Sequence, residues 1–105
     1  MTRIALDFTG QTVITTFEMT PGTAHDLMEA LQSAYDQVIR HAPGFIGAGL
    51  HMNDAQTRIC NYSQWRRRED FLALLRMPEM RERNRAINGL CKVFEPVMYE
   101  VVGVY

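Results

Sequence analysis

The chain has 105 residues, of which 47% are hydrophobic and 22% charged, and its formal net charge is -1 at pH 7. These values suit a single soluble globular domain with a modest core. The balanced charge gives no electrostatic reason to expect a nucleic-acid partner or an anionic membrane surface. No apolar run approaches the roughly 20 residues of a membrane span, and no signal-peptide pattern is present, so we expect a cytoplasmic protein. Cys60 and Cys91 fit no metal-ligand spacing, and no metal site is predicted.

The first predicted elements follow an N-terminal arm, residues 1–10, within one domain that spans residues 1–105. Alternating β-branched and apolar residues predict a strand over residues 12–19. We expect Thr23 to cap a helix that reaches about Arg40 and that Pro43-Gly44 then ends. Its apolar positions recur at helical spacing, which predicts one buried stripe: Ala24, Leu27, Met28, Leu31, Ala34, Tyr35 and Val38.

Two central strands and a broken helix come next. Residues 45–52 predict a second strand, on which simple alternation puts Phe45, Gly47, Gly49 and His51 on one face. Residues 57–65 predict the third strand. Residues 66–88 read as helix with a break or kink at Pro78.

The last strand is expected over residues 92–105, with Pro96 favouring a sheet edge. The element order β-α-β-β-α-β predicts an α+β, ferredoxin-like fold, in which helices cover one face of an antiparallel four-stranded sheet. The other face and a long apolar edge strand would remain exposed. We therefore expect a homodimer, a dimeric α/β barrel, that buries them.

The third strand carries the residues with the most chemical interest. By alternation Ile59, Asn61, Ser63 and Trp65 share one face. If helices cover that face, the Asn61 amide needs a hydrogen-bond partner, which a bound phenol or ketone would supply. Trp65 offers a flat wall and an N–H donor, which suits a planar aromatic substrate with oxygens on its rim. Two structural readings stay open: Asn61 binding backbone, and Trp65 anchoring the core.

The stretch PGFIGAGLHMNDAQTRICNYSQW, residues 43–65, resembles the signature of the antibiotic biosynthesis monooxygenase family. The resemblance extends from about residue 12 to 102 and is strongest to the polyketide-tailoring members of the actinorhodin and tetracenomycin type. It implies a dimeric enzyme that oxidises phenolic anthrones to quinones with O₂ and without metal, flavin or haem. It also implies that Asn61, Trp65 and His51 carry the chemistry, and neutral-pH titration makes His51 the candidate base.

The same resemblance bears on the pocket. A tyrosine typical of the family, six residues after the tryptophan, is replaced by Phe71, and the family arginine could match Arg83 or Arg85. We expect substrate contacts from Phe17, Met28, Leu31, Phe71, Leu74 and Arg85.

Other branches of the same superfamily have different activities and different residues at their sites. A haem-degrading relative would need an Asn, a Trp and a His where this chain has Thr15, Leu74 and Asn84, which argues against haem degradation. A quinol monooxygenase, a small-metabolite isomerase and a non-catalytic dimeric module that binds an aromatic ligand stay open as alternatives. The run Arg66-Arg67-Arg68 reads as a solvated helix start with no assigned chemistry.

Overall fold

The computed structural model describes residues 2–105 and confirms the predicted order of elements. The elements are β1 (Gln11–Glu18), α1 (Pro21–Gln37), a 3₁₀ turn (Ile39–His41), β2 (Phe45–Met52), β3 (Arg58–Trp65), α2 (Arg68–Arg76), α3 (Pro78–Asn88) and β4 (Val93–Tyr99). The strands form one antiparallel sheet in the order β2-β3-β1-β4, so the ferredoxin-like prediction is confirmed. Across residues 2–105, no helix is long and apolar enough to cross a membrane.

Helix α1 begins earlier than the sequence predicted. Thr20, rather than Thr23, is the extended N-cap residue, and Pro21 is the first helical residue. Proline is favoured there because its missing N–H would be unpaired in the first turn anyway. The α-helix ends at Gln37, and Arg40 lies in the following 3₁₀ turn.

The link from α1 to β2 is tied to the start of α2. Gly44 has φ +82, a conformation that favours glycine, and a Cβ there would collide with the Asp70 side chain. Asp70 Oδ1 pairs with Arg67 Nη2 at 3.0 Å, and the Arg66 backbone N–H donates to the Gly44 carbonyl at 2.8 Å. Part of the arginine run therefore fastens one loop to the next helix.

The last strand is shorter than predicted. β4 ends at Tyr99, so the prediction of a strand to residue 105 is wrong. Tyr99 pairs with Thr12, one residue from the start of β1, and the ladder ends where its partner strand does. Pro96 lies on an edge strand, as predicted, and the helix breaks between Met77 and Pro78, also as predicted.

An irregularity in β2 changes which side chains face the helices. Phe45 pairs with Trp65 and Gly47 with Gln64, which leaves one extra residue in β2 between them. Phe45 therefore packs on the helix-covered side, in the Trp65 core, while Gly47 and His51 lie on the open face of the sheet. The expectation that Phe45 and His51 share a face is wrong, because alternation does not continue through the bulge.

The N-terminal arm crosses part of the open face. The Gln64 side chain, only 1% exposed, accepts a hydrogen bond from the Arg3 backbone N–H at 3.1 Å and donates to the Arg3 carbonyl at 2.6 Å. The arm thus satisfies a buried amide that the sheet alone would leave unpaired.

Candidate functional site

Asn61 lies on the helix-covered face of β3, so its amide needs a partner, and it has one from within the chain. The Tyr35 hydroxyl on α1 donates to Asn61 Oδ1 at 2.6 Å. Burial raises the pKa of Tyr35 to about 12, so the phenol is protonated and able to donate at neutral pH. The phenol that we expected a substrate to supply is, in this structure, a side chain of α1.

Trp65 lies at the end of the same strand face and is 1% exposed. Its Nε1–H donates to Ser63 Oγ at 3.2 Å, and Ser63 Oγ donates to the Val13 carbonyl at 3.3 Å. The Phe45 and Phe71 rings pack edge-on against the indole, with centroids 5.4 and 5.7 Å away. The donor of Trp65 is therefore committed to Ser63, and the ring anchors an aromatic cluster.

A cavity of about 300 Å³ opens between α1 and β2, and Tyr35, the hydrogen-bond partner of Asn61, lines it. Its lining combines one phenol, three apolar side chains and a charged rim: Tyr35, Phe45, Ala48, Leu50, Asp36 and Arg40. Leu50 pairs with Asn61 and Ala48 pairs with Ser63, so the cavity floor adjoins the polar positions of β3. The volume is at the low end for small-molecule pockets, and the walls combine apolar and polar side chains in about equal share, which suits a flat ring with polar groups on its rim.

The expected substrate-contact residues fall into two separate core clusters. Phe71 and Leu74 pack with Trp65 in one cluster, beside the cavity. Phe17, Met28 and Leu31 pack in the other, at the far end of the sheet, where Phe17 meets Phe94 edge-on at 4.9 Å. The structure therefore brings Phe71 and Leu74 together with Trp65 and does not bring the other three to them.

Arg85 is exposed on α3, whereas the neighbouring Arg83 turns toward α1 and donates from Nη1 to Ser33 Oγ at 3.1 Å. Of the two arginines that the sequence left open, only Arg83 has a hydrogen bond to α1. The expectation that Arg85 contacts substrate therefore finds no support in the position of its side chain.

His51 is exposed on the open face, paired with Cys60 across β2 and β3. Asn61 and Trp65 lie on the opposite side of the same sheet, so one substrate molecule cannot touch all three residues within one subunit. The expectation of a joint site with His51 is thus wrong for a single chain, because of the bulge in β2. Nor do the described residues, 2–105, contain a cluster of three His, Cys, Asp or Glu side chains that could hold a metal ion.

Tyr35 is the residue that the sequence interpretation missed. It was placed in the apolar stripe of α1, where it is the one residue with a hydroxyl among aliphatic neighbours. A buried tyrosine hydroxyl needs a polar partner, and so does a buried asparagine. Because Tyr35 and Asn61 were both expected on buried faces and each needs a polar partner, the sequence already indicated that they could bind each other.

The chain is similar in sequence to known monooxygenases. The profile of the family described as "Antibiotic biosynthesis monooxygenase" matches residues 11–86, which include β1 through most of α3. Tetracenomycin-F1 monooxygenase of Streptomyces glaucescens is 32% identical over 69 residues, which cover 66% of this chain and 62% of that protein. The alignment thus spans less than two thirds of that relative.

Solved structures share the fold. A monooxygenase from the gene ActVA-Orf6 of Streptomyces coelicolor, in complex with the ligand nanaomycin D, has a TM-score of 0.80 and 26% identity, with 91% of this chain and 90% of that chain covered. SnoaB of Streptomyces nogalater, described as a cofactor-independent oxygenase, has a TM-score of 0.71 and 16% identity, with 90% and 95% covered. At that identity the second likeness concerns the fold alone.

Proposed function

Since the chain belongs to the antibiotic biosynthesis monooxygenase family, we propose that it is a monooxygenase that uses O₂ to oxidise a planar phenolic or anthrone-like polyketide intermediate to a quinone. We further propose that it needs no metal, flavin or haem. One observation carries the proposal: Asn61, to which the family resemblance assigns a catalytic role, is hydrogen-bonded to Tyr35 and paired with Leu50, and both of these residues line the cavity between α1 and β2.

The proposed reaction places the difficult chemistry on the substrate. Loss of a proton gives an electron-rich anion, which passes one electron to O₂. The resulting superoxide and substrate radical combine to form a carbon–oxygen bond, and protonation gives a hydroperoxide. Loss of water from that hydroperoxide breaks the O–O bond and leaves the quinone carbonyl, so one O₂ yields one new carbonyl and one water. The protein has to position the substrate, stabilise its anion and exclude bulk water.

Each of these tasks has a candidate group on the helix-covered side. The Asn61 amide donates to the substrate oxygen that carries the negative charge. Phe45 supplies a rigid apolar wall of the cavity, because its ring packs edge-on against Trp65, which Phe71 holds from another side. Asp36, on the cavity rim, accepts the proton in place of His51.

The similarity to the tetracenomycin-F1 monooxygenase and to the nanaomycin D complex supports a polycyclic phenol as the substrate class. The cavity lining supports the same class, because it combines the Tyr35 and Phe45 rings with the polar side chains of Asp36 and Arg40. We also propose a homodimer formed through the open sheet face, which carries apolar residues on the edge strand.

The test is O₂ uptake by purified protein with a model anthrone. Asn61→Ala should lower kcat/KM by tenfold or more, since it removes the donor to the developing anion. Trp65→Phe should cost less, because its N–H is already used by Ser63. The comparison variant is His51→Ala, on the other face, which should stay within about twofold of wild type.

Three outcomes would count against the proposal. An unchanged kcat/KM in Asn61→Ala would show that Asn61 is not part of the site. A large loss of kcat/KM in His51→Ala would indicate that the reaction takes place on the open face. Binding of the anthrone without any O₂ consumption would favour the alternative of a non-catalytic aromatic-binding module.

A further inference from the structure

We propose that Tyr35 is a positioning residue for Asn61: its hydroxyl holds the side-chain carbonyl oxygen of Asn61 and so turns the amide NH₂ toward the substrate oxygen. This inference rests on the proposed function and extends it to a residue on a different element. The carrying observation is the 2.6 Å hydrogen bond from Tyr35 Oη to Asn61 Oδ1, which joins α1 to β3.

An asparagine side chain has two ends of nearly equal size but opposite hydrogen-bond character. The oxygen accepts, and the NH₂ group donates twice. Without a fixed partner at one end, the amide can rotate and present either end to a ligand. An anion needs donors, so a rotated amide would oppose the proposed chemistry.

Tyr35 removes that ambiguity. Its phenol is protonated at neutral pH and lies at a short O–H···O distance, which makes it a donor to the oxygen end. Within residues 2–105, no second side-chain hydrogen bond involves Asn61, so its NH₂ end is left for a ligand. The ring of Tyr35 is itself braced by Phe45, with centroids 5.9 Å apart.

The position of Tyr35 at the cavity also supports its role in orienting Asn61. Tyr35 lines the cavity between α1 and β2, and Leu50, which pairs with Asn61, forms part of its floor. A flat phenolic ring that enters beside α1 would pass the Tyr35 ring before its oxygen reaches Asn61. The ligand class that fits is a planar phenol or enol whose oxygen becomes negative.

The decisive variant is Tyr35→Phe, which keeps the ring against Phe45 and removes only the hydroxyl. We expect kcat to fall by roughly tenfold with KM within about twofold, since the lost contact acts mainly on the anion. In an Asn61→Ala background the same change should have no further effect, because Tyr35 acts through Asn61. Tyr62→Phe, on the same strand as Asn61 but on the other face, is the matched control.

Two results of this cycle would overturn the inference. A rise in kcat/KM for Tyr35→Phe would mean that Tyr35 blocks Asn61 and competes with substrate. An equal loss from Tyr35→Phe with and without Asn61 would mean that Tyr35 acts independently, for example on packing.

A readout without O₂ separates this inference from the proposed function. 4-Nitrophenol, titrated by absorbance, should bind with its phenol pKa lower in wild type than in Tyr35→Phe, because oriented donors favour the phenolate. Equal values in the two proteins, or no binding to wild type, would overturn the inference. If the pKa of bound 4-nitrophenol differs clearly between the two proteins but neither consumes O₂, the role of Tyr35 would be supported and the proposed function would be contradicted.

Discussion

The Tyr35 hydroxyl and the Asn61 amide, 26 residues apart in the chain, meet each other's need for a hydrogen-bond partner. The need was visible in the sequence, because a buried Asn on an apolar strand face must be paired. The identity of the partner was not, since periodicity fixes which side of α1 is buried but not how the helix is rotated over β3. The Trp65 N–H reaches Ser63, two residues earlier on the same strand face, so this partner was within reach of the alternation pattern although a substrate was expected instead.

The raised pKa of Tyr35 predicts a specific loss of stability in alkali. In the folded protein its phenol titrates near pH 12, and in the unfolded chain near its ordinary value of 10. The folded state therefore holds a proton that the unfolded state releases between those values. Its contribution is fully present below pH 10 and is lost as the pH rises through about 12, at a cost of about 3 kcal/mol in the free energy of unfolding.

Urea unfolding of wild type and Tyr35→Phe at several pH values between about 9 and 12 would measure this contribution. Wild type should lose stability more steeply than Tyr35→Phe over that range, and Tyr62→Phe should follow wild type because it retains Tyr35. Parallel curves for wild type and Tyr35→Phe would show that the phenol is not held as the structure has it.

The first three strands were predictable to within one residue, because alternation of apolar and polar side chains is a local signal. The bulge in β2 was not, since it depends on how Phe45 and Gly47 pair with Trp65 and Gln64 on another strand. That single extra residue decides the face of His51. The end of β4 depended in the same way on where β1 begins, and not on the apolar run from Val101 to Tyr105.

The junction of α1, β2 and α2 yields a prediction about backbone conformation. Gly44→Ala should lower the free energy of unfolding by about 2 to 3 kcal/mol, because alanine is strained at positive φ and its Cβ would displace Asp70. The matched control is Gly22→Ala in the first turn of α1, where the nearest atom to an added Cβ is Thr20 Oγ1 at 3.6 Å.

Gly22→Ala should leave stability unchanged or raise it by up to about 1 kcal/mol, since it replaces a flexible residue within a helix. Chemical denaturation of both variants measures the difference. Similar values for the two would mean that Gly44 does not hold the loop against α2. The outcome also bears on the arginine run, because Arg67 is oriented by the same Asp70 carboxylate.

The molecule has one face covered by helices and one that is only partly covered by the arm. On the open face, the edge strand β4 presents Val93, Val97 and Tyr99 with 38%, 37% and 48% exposure. Ile14 lies beside Val97 in the adjacent strand. Val97 and Tyr99, with Ile14 beside them, form a short apolar row that the exposed Glu95 separates from Val93. An apolar row on an exposed sheet favours association with another surface of the same kind. The sequence predicted a homodimer from a longer β4 than the structure has. The exposed apolar residues of the shorter strand still favour that homodimer.

Val97→Glu should therefore shift the protein from dimer to monomer at micromolar concentration, because a carboxylate at the centre of that row would be buried without a partner. Leu72→Glu is the matched control: Leu72 is 36% exposed but lies on α2, on the helical side. Sedimentation or light scattering on the wild type and both variants measures the change. A monomeric wild type would contradict the proposed homodimer, and dissociation by Leu72→Glu alone would place the interface on the helical side. Because His51 and Cys60 lie on the open face, dissociation would expose them further, whereas Asn61 and Tyr35 should keep their hydrogen bond within each subunit.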